Sequence, residues 1–390
     1  MVNIMILTWL FPPSTGGIET NTYRLAKSMS KKNNVSVFTV GRHYNKEEEE
    51  PFKIFRSKRM DPSKLQSKDR LILSDDMKKV LENEKIDVVL SHNLSCLPTM
   101  FSKTLIRTVK EKNIPMIEFC GDARYKSLNK KLTKEFRQVL AVSNFVRKRL
   151  IEIGYDSKRV KTFHTGVPTG LFDSNKYDKV ECKKEFGFPK NKKIILFPSR
   201  SIRGNGQFNR QKGFFTVLNS IKNIKKNAKD DFAIVFPAVV GRKDKNIKGK
   251  KNLAKLKLRI KKEGIAENVI FINKRISLEE MPSLYKSADI VVTPSVNEAL
   301  GMVFLESLSM GVPAIGAKSG GIPESIVNGK TGFVIKPGDS KDLSKKIIKL
   351  LNNEKLRKKM GKASRTRALK VFSYEKMIKK LEKIIRKTIK

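Results

Sequence analysis

Short apolar runs separated by amphipathic stretches recur along the whole chain, and this alternation restricts the fold more than any other feature. "VNIMILT", "NVSVFTV", "DVVLSH", "PMIEFC" and "QVLAVS" each read as a buried strand followed by a polar or helical segment. A second series follows: "KKIILFPS", "FAIVFPAVV", "NVIFIN", "DIVVTPS", "VPAIGA" and "GFVIKP", with helical patterns such as "KGFFTVLNSIKNIKK" and "LEEMPSLYKSA" between them. Near-continuous apolar strands joined by helices describe parallel sheets, so the expected class is α/β, with two successive doubly wound, Rossmann-like units. The 390 residues suffice for two domains, each with its own core. Gly, Pro and Asp accumulate and periodicity lapses in "TGVPTGLFDSNKYDKVECKKEFGFPKN", which puts the boundary near Lys176. The expected domains are 1–176 and 177–370. Residues 371–390 read as a helix whose apolar stripe is Tyr374, Met377, Ile378, Leu381, Ile384, Ile385 and Ile389, with lysines and arginine on the other positions. "HYNKEEEEPFKIFRSKRMDPSK" reads as a charged loop.

Lys and Arg number 83 against 38 Asp and Glu, giving a net charge of +45. Such a field attracts nucleic acid, anionic membranes and phosphorylated ligands alike. The lysines are dispersed among Asn and Ile, as expected of many solvated faces rather than one patch. No helix-turn-helix, finger or aromatic-basic interleaving accompanies them, and the single Trp9 sits near a glycine loop, so nucleic acid is not the expected partner. Cys96, Cys120 and Cys182 are odd in number and lack CxxC spacing, which suggests neither a disulfide framework nor zinc, and a reducing compartment. No apolar run approaches the ~20 residues that span a bilayer, and "MVNIMILTWLFPP" lacks the marks of a signal peptide. The expected location is cytoplasmic, with peripheral contact at an anionic inner-membrane surface left open.

Three segments carry candidate chemistry. In "TWLFPPSTGGIETNTYRLAKSM" a strand leads into Gly16 and Gly17 and then a helical pattern, where free amides and the helix dipole favour an anion; a tight strand-to-helix turn is the alternative. "FPSRSIRGNGQFNRQKGFF" repeats that topology with Arg200, Arg203, Arg210 and Lys212, side chains suited to a diphosphate. "EALGMVFLESLSMGVPAIGAKSGGIPESIVNGKTGFVIKPGD" places Glu298 at the carboxyl end of a strand and Glu306 on the helix that follows, Gly301 to Met310, closed by Gly311. Carboxylates there accept hydroxyl hydrogen bonds from a sugar or ribose, while the amides of Leu300, Gly301, Met302 and Val303 face phosphate. Both glutamates are expected at a solvent-filled cleft. His92 in "LSHNLS" is a candidate cleft residue or a structural one, and Cys120 in "IEFCGDARY" reads as a core thiol rather than a nucleophile.

Together these residues resemble the GT-B glycosyltransferases of family 4 over nearly the whole chain, most densely from Arg275 to Asp339. Glu298 and Glu306, separated by seven residues, are similar to the family's paired glutamates. "PPSTGGIE" is similar to its N-terminal glycine loop, "AVSNFVRKRL" and "TFHTGVPTGLF" to the end of its first domain, and "SR" followed by "KG" to its basic diphosphate site. The resemblance implies two Rossmann-like domains facing a central cleft, with the last helix returning to the first domain. It implies a retaining hexosyltransferase that uses a nucleotide-diphosphate sugar and needs no metal or other cofactor. The acceptor would be a glycan, lipid-linked group or small molecule, as in cell-surface polysaccharide or glycolipid synthesis. By position, Glu306 would bind the donor ribose, Glu298 would lie beside the transferred sugar, Arg200 and Lys212 would hold the diphosphate, and Gly17 would lie next to it. The sequence departs from the family in two places. "SIRGNGQFNRQ" lengthens the span between Arg200 and Lys212, leaving Arg203 or Arg210 as alternative phosphate ligands. Cys120 stands before Gly121 and Asp122 where a His or Arg near the sugar or acceptor is expected. A nucleotide-sugar epimerase of the same fold is the alternative function, and a basic nucleic-acid-binding protein a more distant one.

Overall fold

The computed structural model describes residues 1–9, 11–12, 17–40, 49–57, 67–94, 99–122, 130–199, 201–202, 207–237 and 247–390. The chain divides into two compact units, Met1–Thr165 with Glu375–Lys390, and Gly166–Tyr374.

The first unit runs β1 (Asn3–Thr8), α1 (Gly17–Met29), β2 (Asn34–Val40), β3 (Lys53–Ser57), α2 (Ser67–Asn83), β4 (Val88–His92), α3 (Thr99–Glu111), β5 (Met116–Cys120), α4 (Lys130–Thr133), β6 (Phe136–Ala141), α5 (Asn144–Glu152) and β7 (Val160–Thr162). Its strands form one parallel sheet in the order β3-β2-β1-β4-β5-β6-β7. Ile4 of β1 pairs with Val35 on one side and Val88 on the other. The central strands are buried on both faces, which is why they carry unbroken apolar runs rather than alternation.

Two strands were not expected. β3 lies in the segment read as a charged loop, and β7 is three residues long. β3 is an edge strand, half-buried, and carries Lys53 and Arg56, so its apolar signal is weak. Lys53 forms an ion pair with Glu84 at 2.8 Å.

The second unit runs α6 (Lys179–Glu185), β8 (Lys193–Leu196), α7 (Phe214–Asn227), β9 (Phe232–Pro237), α8 (Ile247–Lys262), β10 (Val269–Ile272), α9 (Met281–Ser287), β11 (Ile290–Thr293), α10 (Met302–Ser309), β12 (Ala314–Ala317), α11 (Ile322–Ser325), β13 (Gly332–Ile335), α12 (Ser340–Leu351) and α13 (Glu354–Val371). Its parallel sheet has the order β10-β9-β8-β11-β12-β13. Phe197, Phe214, Phe232 and Phe236 join Ile195, Ile290, Val292, Ile347 and Leu350 in its core.

The units part at Thr165 rather than near Lys176, because the chain pairs with itself just beyond that point. Val167 N–H donates to the Phe372 carbonyl at 2.8 Å, and Tyr374 N–H donates to the Val167 carbonyl at 3.1 Å. The outgoing and returning segments thus belong to the second unit. The last helix, α14 (Tyr374–Ile389), belongs to the first unit from Glu375 onward. It buries Met377, Ile378, Leu381 and Ile385, and Arg137 donates to the Thr388 carbonyl at 3.0 Å. Ile384 is half-buried and Ile389 exposed, so the stripe narrows toward the end. Among the described residues, no helix is long and apolar enough to cross a membrane.

Candidate functional site

In the second sheet the chain passes from β8 to β9 and β10 on one side, then returns to β11 on the other and continues to β12 and β13. The crossovers after β8 and β11 therefore diverge, and such a switch point opens a crevice beyond the carboxyl ends of those strands. The loops after β8, β11 and β12 meet there and are tied by backbone amides, two donating to carbonyls and one to a side chain. Val296 N–H donates to the Gln211 carbonyl at 2.8 Å, Gly321 N–H to the Glu298 carbonyl at 2.8 Å, and Asn297 N–H to Ser319 Oγ at 2.9 Å. Glycine is required at two of these contacts. Gly213 has φ 78°, and a Cβ there would stand 2.4 Å from the Pro294 carbonyl oxygen; Gly320 has φ 61°, with 2.0 Å to the Glu298 carbonyl oxygen.

This locking sets the start of three helices. α7, α10 and α11 follow Gly213, Gly301 and Gly321, none of which supplies a side-chain cap. By contrast, α6, α12 and α13 are capped by Asp178, Asp339 and Asn353. Around the switch point the residue before each helix thus supplies no side-chain cap, and the helix dipoles favour an anion.

Lys212 and Glu298 are brought together there: Nζ lies 2.6 Å from Oε2, with side chains 32% and 21% exposed. Glu306 behaves differently. Only 9% exposed, it is buried rather than open to a solvent-filled cleft, and it accepts a hydrogen bond from the Tyr285 hydroxyl at 2.9 Å. It faces inward because α10 packs on α9, which carries Tyr285. Gly301 opens α10, and Met302 and Val303 are half-buried in its first turn. The Leu300 side chain is buried and its carbonyl accepts from Ser325 Oγ at 2.7 Å, so Leu300 offers a ligand only its amide. Arg210 lies over the Phe215 ring, 5.4 Å from its centroid. Gly16, Arg200 and Arg203 fall outside the described residues.

In the first sheet the switch point lies between β1 and β4. His92 ends β4 and is buried, edge-on to Phe119. Its Nδ1 meets Thr22 Oγ1 of α1, whose hydroxyl donates to the Ile18 carbonyl at 2.9 Å. A hydroxyl proton given to Ile18 is compatible with Nδ1–H donating to Thr22 and Nε2 serving as the acceptor nitrogen. Nε2 points toward Gly121, where a Cβ would lie 3.6 Å away. Burial pushes the His92 imidazole down to about 4, so the ring is neutral at pH 7.

Cys120 ends β5, fully buried, with Sγ 3.8 Å from Glu118 Oε1. Asp122 is buried just after it, and Gly121 N–H donates to Asn93 Oδ1 at 2.7 Å. Gly17, the first residue of α1, is exposed; among the described residues beyond its own helix backbone, a Cβ there would meet no atom within 4 Å. His92, Cys120 and Asp122 thus lie at the carboxyl ends of β4 and β5, while Gly17 opens the helix that follows β1.

The residue that pattern reasoning misses is Tyr285. In "LEEMPSLYKSA" it reads as one more apolar position of a helix, and only the fold turns its hydroxyl toward Glu306. Among the described residues, no group of three or more His, Cys, Asp or Glu is assembled to hold a metal ion.

Comparison with known proteins bears on both units. Residues 178–367 match the family profile described as "Glycosyl transferases group 1", and residues 15–171 match "Glycosyltransferase Family 4". The N-acetyl-alpha-D-glucosaminyl L-malate synthase of Bacillus anthracis is 26% identical over 250 residues, which is 63% of this chain. The match spans 58% of that relative's length, little more than half. A glycosyltransferase from Rickettsia africae superposes over 99% of both chains with a TM-score of 0.82 and 21% identity. The Anabaena protein Alr3699/HepE, solved with UDP and glucose, superposes with a TM-score of 0.76 and 17% identity, over 98% of this chain and 99% of its own. At these identities the structural likeness is one of fold.

Proposed function

This chain belongs to the family 4 glycosyltransferases, with the GT-B fold, and from that premise we propose a retaining enzyme that moves a hexosyl group from a nucleotide-diphosphate sugar to an acceptor. The observation that carries the reading is the Lys212–Glu298 pair at the switch point, among three helix starts without side-chain caps. A cation and converging amides suit a diphosphate, and an adjacent carboxylate suits sugar hydroxyls.

Departure of a nucleoside diphosphate puts negative charge on its outer phosphate. Lys212 and the first-turn amides of α10 are fixed in place to meet that charge, and such preorganised donors act without reorganising during the reaction. Glu298 orients the sugar as positive charge develops at the anomeric carbon. Glu306 accepts from the donor ribose, and Arg200 shares the diphosphate with Lys212, both by their positions in the family pattern. In this reading these cationic groups serve where other transferases use a metal ion. The acceptor, a glycan, lipid-linked group or small molecule, is bound mainly by the first unit, around His92, Cys120 and Asp122.

Thermal shift with uridine, guanosine and adenosine diphosphates and their sugars tests the donor. A ligand that binds only the native state raises the melting temperature, by about 2.7 kcal/mol of stabilisation at one hundred times its Kd. The expected result is a shift with one nucleoside series, followed by a product whose anomeric proton coupling matches the donor's configuration. No shift with any of them would remove the donor reading, and an inverted product would remove retention.

A further inference from the structure

We propose that Tyr285 is a positioning residue that aims the Glu306 carboxyl and thereby sets how strongly the site discriminates a ribose from its deoxy counterparts. The inference rests on the reading of Glu306 as the ribose acceptor, and adds a residue that touches neither donor nor acceptor. The Tyr285 hydroxyl donates to Glu306 Oε2 at 2.9 Å, and the tyrosine is fully buried. A glutamate has three rotatable side-chain bonds, and fixing them on binding costs conformational entropy. A partner that holds one carboxyl oxygen beforehand removes that cost and gives the other oxygen a direction.

Tyr285 can serve as such a fixed point because its surroundings are locked. Its ring lies against Phe172, with centroids 6.1 Å apart and planes at 66°. The Phe172 carbonyl is in turn held by Ser309 Oγ at 2.7 Å and by Arg365 Nη1 at 2.7 Å. Arg365 also donates to the Ser309 carbonyl at 2.8 Å, so α13 clamps the end of the helix that carries Glu306. Packing alone does not call for this pair. Apolar side chains of similar size at 285 and 306 would fill the space without the desolvation cost of a buried carboxyl and phenol. A polar pair buried at that cost points to use of the carboxyl.

Tyr285→Phe deletes one oxygen from a packed ring, and melting temperature records that the fold is kept. Affinity is measured by calorimetry for whichever of uridine, guanosine or adenosine diphosphate binds the wild-type chain, and for its 2′,3′-dideoxy form. The expected result is binding of the ribonucleotide weakened about tenfold, as for loss of one hydrogen bond to a charged group. The dideoxy form should be weakened much less, and kcat should change little beside the rise in donor KM. Adding Tyr285→Phe to Glu306→Ala should cost no further affinity, since the tyrosine acts only through the glutamate. Unchanged affinity and discrimination in Tyr285→Phe, equal losses for both nucleotides, additivity with Glu306→Ala, or an unfolded variant would each overturn the assignment. If the wild-type chain binds no nucleoside diphosphate, the donor reading itself fails and takes this inference with it.

Discussion

At the scale of single residues, Lys212 and Glu298 touch each other but have separable tasks. Lys212→Ala should weaken nucleoside diphosphate binding by about 1.5 to 3 kcal/mol, the range for hydrogen bonds to charged groups. Glu298→Ala deprives Lys212 of its partner at 2.6 Å yet leaves the cation for the phosphate. Its loss should therefore fall on kcat, on the order of a hundredfold, with nucleoside diphosphate affinity retained. Calorimetry and steady-state kinetics with the identified donor separate the two; equal effects on kcat and affinity in both variants would contradict the division. His92 makes a different prediction, about acid. Its folded-state value of about 4 lies below the unfolded value near 6.5, so between those limits the unfolded chain binds more protons. Stability accordingly rises with pH across that window and is lost on acidification, by roughly 2 kcal/mol between pH 7 and pH 5 from this ring alone. Urea unfolding at the two pH values should show a loss of that size that is absent in His92→Gln. An identical pH dependence in the variant would mean that the buried imidazole is not responsible.

At the scale of elements, the loops after β8, β11 and β12 act as one unit, since each is fastened to its neighbour by backbone contacts. Gly320→Ala tests this. Its Cβ would fall 2.0 Å from the Glu298 carbonyl oxygen in a backbone with φ 61°, so the β12 loop must move away from the β11 loop. The expected cost is about 2 to 4 kcal/mol of stability, with loss of donor binding even though no ligand contact is substituted. Gly17→Ala should leave the melting temperature unchanged, because among the described residues beyond its own helix backbone no atom lies within 4 Å of the new methyl group, while lowering activity by filling space beside the donor phosphates. These elements differed in how legible they were. The central strands announced themselves because burial on both faces demands unbroken apolar runs, as in "DIVVTPS" and "DVVLSH". β3 did not, because at the sheet's edge its apolar residues are interrupted by the exposed Lys53 and the half-buried Arg56. Glu298 and Lys212 were readable as charged residues beside glycines after a strand, yet their contact was not, since 86 positions separate them. The inward turn of Glu306 was equally hidden: helical spacing placed it on α10, but the face that it shares with Tyr285 is set by how α9 packs. Pattern gives the element and its period, whereas the partner of a polar group depends on tertiary packing.

At the scale of the whole molecule, the chain returns to its first unit through α14 after completing the second. The net charge of +45 makes this return informative. An amphipathic helix with Lys376, Lys379, Lys380, Lys383, Arg386 and Lys387 on one face has the composition of a membrane-surface anchor. Here, however, Met377, Leu381 and Ile385 are 5%, 0% and 1% exposed, so the apolar face is already covered by protein. What stays exposed is the cationic face, which can attract anionic lipid only through charge. Removal of residues 375–390 should therefore act first on folding. Deleting four buried apolar side chains, Met377, Ile378, Leu381 and Ile385, each worth about 1.5 to 3 kcal/mol of burial, removes several kcal/mol from the first unit and leaves the surface they covered bare. The truncated chain should melt at a lower temperature and bind a hydrophobic dye, while the second unit, which ends before residue 375, keeps its own transition. Vesicle flotation of the full chain completes the test. Any binding to anionic vesicles should vanish at high salt, because screening removes the only attraction on offer. Salt-resistant flotation that disappears with 375–390, in a truncated chain of unchanged melting temperature, would show instead that the apolar stripe leaves the protein for lipid.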